Sequence, residues 1–222
     1  SADGAQEILV CHFVANVGTT PWIGSVFVMW DNASVPEGSD MAGVLGTWVH
    51  GLVIGLQQSN LLSKDESIGV YIGRYQGQRR EIWGEGGRSS WSPNQNAIIL
   101  DADQLSGYRM ESWFLAATHL LFHIAAEQWA PDRAYSPRWI WFLEASAMLY
   151  ADRAVKPAQM GLDAYWGFLE RGLDPGDVPA DSARRHGYGA YFFLKFLMSR
   201  KLVTNTGAGL ADFADLDIAS SI

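Results

Sequence analysis

Two histidines and one glutamate have the types and spacing of a metal site. His119 and His123 stand four residues apart in an apolar stretch, and Glu144 follows in a second apolar stretch. On a helix, residues four apart share one face, so both imidazoles can meet a single ion at about 2.0–2.1 Å. A set of two histidines and one glutamate leaves a fourth position for water, as in catalytic zinc sites. The pattern predicts a Zn²⁺ site at His119, His123 and Glu144.

A histidine pair at this spacing also occurs without a metal. An apolar helix can hold two imidazoles as hydrogen-bonded core residues, so a metal-free interaction or structural domain is the alternative interpretation. Other motifs offer no competing chemistry. The Gly-rich residues 84–87 lack the lysine and helix of a phosphate loop, and no G-x-S-x-G elbow is present.

Three segments of the chain resemble the gluzincins, zinc peptidases whose H-E-x-x-H helix is followed by a glutamate ligand on a later helix. Residues 118–123 (THLLFH) are similar to their metal-binding helix, and residues 141–147 (WFLEASA) to their W-x-x-E-G-x-A segment. Residues 187–193 (GYGAYFF) resemble a Y-G-A-x-x-F stretch found in secreted metallopeptidase domains. The resemblance implies a zincin-like fold, zinc bound by His119, His123 and Glu144, a peptide or protein ligand in the cleft, and an extracellular location.

Position 120 departs from that family pattern. Leu120 stands where the gluzincins have the glutamate that activates water, and leucine cannot accept or deliver a proton. Losing a general base typically costs about 10²–10⁴-fold in rate. We therefore expect a pseudopeptidase that acts by binding. An active or weakly active zinc hydrolase is the second hypothesis, and a Leu120 introduced by mutation into an active enzyme is a further one.

Few other residues can replace the missing base. Glu127 lies one helical turn beyond His123, where it would orient an imidazole or be a polar residue near the helix end. Tyr188 and Tyr191 can donate a hydrogen bond to an oxyanion, although Tyr191 lies in a Phe-rich run typical of a core. His186 precedes Gly187 in a predicted loop, where it would line the site or be a solvated loop residue.

Composition limits the classes of function. The chain has 222 residues, of which 48 % are hydrophobic and 18 % charged, enough to bury one core, and we expect a single domain over residues 1–222. A formal charge of −8 argues against a nucleic-acid partner. The single cysteine, Cys11, excludes an intrachain disulfide, and no apolar run reaches the length of a membrane span. No feature predicts an oligomeric state.

The order of predicted elements indicates an α+β fold. Residues 1–105 are rich in strands, with one helix, and residues 106–222 are mainly helical. The predicted strands cover residues 7–14, 24–30, 67–73, 81–83 and 96–101, with a Gly-rich loop at 84–92. The predicted helices cover residues 41–56, 111–129, 138–153, 162–171 and 187–200, with a surface connection at 174–185. A zincin-like arrangement, a small mixed sheet followed by the helices of the metal site, is expected.

Overall fold

The computed structural model describes residues 11–13, 16–17, 20–21, 26–30, 38–74, 84–88, 95–105, 110–129, 137–155 and 180–199. The predicted strand at 81–83 and the predicted helix at 162–171 lie outside these residues. The strands are β1 (Cys11–Phe13), β2 (Asn16–Val17), β3 (Thr20–Pro21), β4 (Val26–Trp30), β5 (Ser67–Gly73), β6 (Gly84–Arg88) and β7 (Gln95–Asp101). The helices are α1 (Gly38–Gln58), α2 (Ala102–Leu105), α3 (Met110–Trp129), α4 (Pro137–Ala154) and α5 (Ala180–Ser199).

Five of the strands form one small mixed sheet in the order β1-β4-β5-β7-β6. The neighbours β4, β5 and β7 run parallel, whereas β1 and β6 pair antiparallel at the two ends. The inner strands are apolar, as expected for parallel strands that are covered by helices. Ile68, Val70 and Ile72 of β5 are all buried. The short strands β2 and β3 form a separate antiparallel pair.

Helices α1 and α3 pack on the sheet and on each other. The side of α1 that faces the core carries Leu45, Val49 and Val53 at four-residue intervals, and all three are buried. These residues share one core cluster with the inner strands and with the middle of α3. The sequence-predicted helix at 41–56 is therefore present and extends by a few residues at each end.

Helices α4 and α5 form a second packing unit. Ala145, Met148 and Leu149 of α4 pack with Ala190 and Leu194 of α5 in a separate apolar cluster. The opposite side of α4 carries Leu143 and Ala147, which belong to the core beneath α3. Helix α4 is thus the element that joins the two clusters, and it carries Glu144.

Two sequence-based boundaries are wrong. Residues 84–88 were expected in a loop, but they form the edge strand β6, because glycines there let the strand lie close against α3 while its backbone pairs with β7. Residues 180–185 were expected in a surface connection, but they form the first turns of α5. The prediction followed apolar periodicity, which a polar helix start does not show.

The architecture confirms the α+β class, with a small mixed sheet in the first half and helices in the second. None of the helices in the part of the chain that the structure describes is long and apolar enough to cross a membrane.

Candidate metal centre

Three side-chain atoms from α3 and α4 converge on one point. His119 Nε2 lies 3.1 Å from Glu144 Oε2 and 3.1 Å from His123 Nε2. The third side of the triangle, from His123 Nε2 to Glu144 Oε2, measures 3.3 Å. The structure therefore brings together the three residues that the sequence predicted, and the group can hold a metal ion.

The triangle has dimensions that are compatible with a bound metal ion. With ligands at about 2.0–2.1 Å, the edges of a zinc tetrahedron are about 3.3–3.4 Å, close to the three observed distances. Hydrogen bonds prefer angles above about 150° at the hydrogen. In a nearly equilateral triangle, one N–H directed at one neighbour points about 60° away from the other, so the three contacts cannot all be good hydrogen bonds. Lone pairs that converge on one ion meet no such conflict.

Helix α3 places both histidines on one face, and its neighbours fix its position. The Trp48 indole N–H of α1 donates to Thr118 Oγ1 at 2.9 Å, and Thr118 Oγ1 donates to the Phe114 carbonyl oxygen at 2.7 Å. The rings of Trp48 and Phe114 stack with centroids 4.7 Å apart. Because Thr118 directly precedes His119, these contacts hold α3 against α1 at the level of the first ligand.

The site is largely closed to solvent. The side chains of His119 and Glu144 are 4 % and 7 % exposed, whereas that of His123 is 22 % exposed. Burial by itself would raise the pKa of Glu144, but the positive charge on His123 and hydrogen bonds from both imidazoles outweigh it and hold that pKa well below its usual range. Glu144 is therefore an anion, the form that a metal ligand needs, whereas the two imidazoles must lose the Nε2 protons that they donate to it before they can bind an ion.

Helix α5 lies directly behind two of the three donor residues, His119 and Glu144. The Tyr188 ring is 6.0 Å, centroid to centroid, from the His119 ring. A Cβ atom built on Gly187 would lie 2.5 Å from Glu144 Cβ and would also overlap the Trp141 carbonyl oxygen. Sequence reasoning assigned no role to Gly187. The available signal was a glycine inside an aromatic helix, which marks a close approach of two backbones.

Leu120, the residue that directly follows His119, is buried. It is 4 % exposed and belongs to the apolar core. A Cβ atom built on Gly86 of β6 would lie 2.8 Å from the Leu120 carbonyl oxygen and 3.2 Å from Leu120 Cβ. The edge strand and α3 are therefore in contact at this residue.

Glu127 and Tyr191, the remaining candidates whose side chains the structure describes, contact other groups. Glu127 Oε2 faces β6, at 3.9 Å from a Cβ built on Gly87, and within the described part of the chain no hydrogen bond joins it to either imidazole. The Tyr191 hydroxyl accepts a hydrogen bond from Lys195 Nζ at 3.0 Å. His186 is on α5, but its side chain is outside the described residues.

Comparisons with known proteins add no relative. No protein-family model matches the chain, and neither the curated proteins nor the solved structures give a significant match.

Proposed function

We propose that this protein binds Zn²⁺ through His119, His123 and Glu144 and that it is a gluzincin-like pseudopeptidase, which binds a peptide without cleaving it efficiently. The observation that carries the proposal is the triangle of two imidazole nitrogens and one carboxylate oxygen with sides of 3.1–3.3 Å. Zinc favours this mixed nitrogen and oxygen set. The resemblance of residues 118–123 and 141–147 to gluzincins supports the same ion.

Among the side chains that the structure describes, the lack of a suitable base supports binding over hydrolysis. Zinc, when bound, lowers the pKa of coordinated water and polarises a carbonyl group. Among the described residues the metal group contains one carboxylate, that of Glu144, and as a ligand it is not available to take a proton. Leu120 supplies only apolar surface at the position next to His119.

An extended peptide is the partner that the surrounding backbone favours. Strand β6 ends the described sheet, so its outer edge has no strand partner among the residues that the structure describes. It also rests on α3 at Leu120, the residue next to His119. A strand at the edge of a sheet can pair with an added strand through backbone hydrogen bonds. We propose that peptide segments bind here, beside the metal.

Elemental analysis of the purified chain tests the metal. We expect about one zinc per chain, lost in His119→Ala and kept in the control His50→Ala, because His50 is outside the donor group. Two histidines with one carboxylate also bind non-haem iron(II), so iron is measured in the same samples. Iron in place of zinc would overturn the metal assignment, and a metal-free parent chain would favour the metal-free interaction domain.

Peptide hydrolysis tests the missing base. We expect no chelator-sensitive turnover of a peptide library by the parent chain. Leu120→Glu is expected to gain turnover, while the control Leu120→Gln, which is similar in size but has no base, is not. Chelator-sensitive turnover by the parent would establish the active-hydrolase hypothesis instead. If a folded, zinc-bound Leu120→Glu variant does not hydrolyse the peptides, the site lacks more than the general base.

A further inference from the structure

We propose that α5 is part of the metal centre and that Gly187 and Tyr188 are positioning residues for the ligands Glu144 and His119. This inference rests on the proposed zinc site and extends it to residues that make no contact with the ion. Three contacts between α5 and its neighbours carry it.

The first contact is the close approach at Gly187. A Cβ atom at this position would overlap the Trp141 carbonyl oxygen and lie 2.5 Å from Glu144 Cβ. Real Cβ atoms do not approach other heavy atoms so closely, so only glycine lets the two helices meet here. The α5 backbone at Gly187 thus fills the space on one side of the Glu144 side chain. It restricts the side chain to directions that point toward α3.

The second contact is between the rings of Tyr188 and His119. The Tyr188 ring packs against the His119 ring at 6.0 Å between centroids, with an angle of 57° between the planes. Ligating imidazoles need a fixed ring orientation, and groups behind the ligand supply it. On the other side His119 meets His123, with centroids 4.8 Å apart. Tyr188 therefore restricts rotation of the His119 ring.

The third contact fixes the register of the two helices. Lys195 Nζ lies 2.7 Å from Asp152 Oδ2 and donates to the Tyr191 hydroxyl. Asp152 is eight residues beyond Glu144, and Lys195 is eight residues beyond Gly187, so α4 and α5 run parallel with a constant offset. Eight helical residues span about 12 Å. A slip of α5 along α4 would break the ion pair and the Gly187 contact together.

Metal affinity and cobalt spectra test the inference. Zinc dissociation constants are measured by competition with a chromophoric chelator for the parent chain, Gly187→Ala, Tyr188→Ala and Tyr188→Phe. The visible spectrum of the Co²⁺-loaded protein reports the coordination geometry. Gly51→Ala is the matched control, since a Cβ on Gly51 of α1 would meet no heavy atom within 4 Å.

We expect Gly187→Ala and Tyr188→Ala to bind zinc about 10–100-fold more weakly than the parent, the usual effect of removing a group behind a ligand, and to alter the cobalt spectrum. Tyr188→Phe keeps the ring and should bind at least about tenfold more tightly than Tyr188→Ala. If Gly187→Ala does not fold, the two Tyr188 variants decide the question. Parental affinity and cobalt spectra in Tyr188→Ala would overturn the inference. A parent chain that binds no metal would overturn the proposed zinc site itself. Failure of the zinc site is thus distinguishable from failure of the positioning role of α5.

Discussion

Gly86 of the edge strand lies directly against the backbone of Leu120 in α3. The carbonyl oxygen of Leu120 would stand 2.8 Å from a Cβ atom at position 86. Neither Gly86 nor its neighbour Gly87 has a left-handed backbone conformation, so the requirement for glycine at position 86 comes from space.

Gly86→Ala is expected to destabilise the protein by about 1–3 kcal/mol, because the added methyl group must push β6 and α3 apart. Urea denaturation followed by circular dichroism measures the change. Gly87→Ala is the matched control on the same strand, since its Cβ would meet only Glu127 Oε2 at an ordinary 3.9 Å. Equal losses in the two variants would contradict the contact.

Zinc is expected to stabilise the folded chain and its removal to destabilise it. A ligand that binds only the folded state at 100 times its dissociation constant adds about 2.7 kcal/mol. Thermal melts with zinc or with a chelator should therefore differ in the parent chain. The shift should vanish in His119→Ala, which lacks a donor, and a shift of equal size there would point to zinc bound elsewhere.

Tyr150 gives a stability change at high pH. Burial raises its pKa to about 12, from an ordinary value of 10.0. Above about pH 10 the unfolded chain releases this proton while the folded chain retains it, so stability falls as the pH rises toward 12. Tyr150→Phe cannot ionise. Its urea midpoint should fall less steeply than that of the parent between about pH 10 and 12, and parallel curves would show that Tyr150 does not contribute.

Asp152 and Lys195 are expected to be energetically coupled. The Asp152 side chain is 10 % exposed, so removing Lys195 leaves a mostly buried carboxylate without its ion-pair partner, whereas Lys195 itself is about half exposed. A double-mutant cycle of Asp152→Asn and Lys195→Met should give a coupling energy of about 0.5–1 kcal/mol. Additive effects on the free energy of unfolding would show that the pair adds nothing to the α4–α5 contact.

The sequence was sufficient where the governing physics is local. The spacing of His119 and His123 places them on one helix face whatever surrounds the helix. The apolar strand Ser67–Gly73 was predicted with the bounds that the structure has. Glu144 required a further step, the packing of one helix on another, which the resemblance to gluzincins supplied.

The features that the sequence did not predict depend on tertiary contacts. The pairing of β6 with β7 makes a strand from glycine-rich residues that have little strand propensity of their own. The closeness of Gly187 to Glu144 is set by how α5 packs on α4, which no local pattern encodes. Burial of Leu120 under β6 follows from the same kind of contact.

Metal coordination by the donor triangle would report when α3 and α4 dock during folding. His119 and Glu144 belong to different helices, and their contact is long-range in sequence. A partly folded chain with α3 and α4 formed but undocked would give a helical far-ultraviolet signal and no metal coordination. During refolding, the appearance of a cobalt spectrum would therefore time the docking of these two helices, separately from the formation of either one.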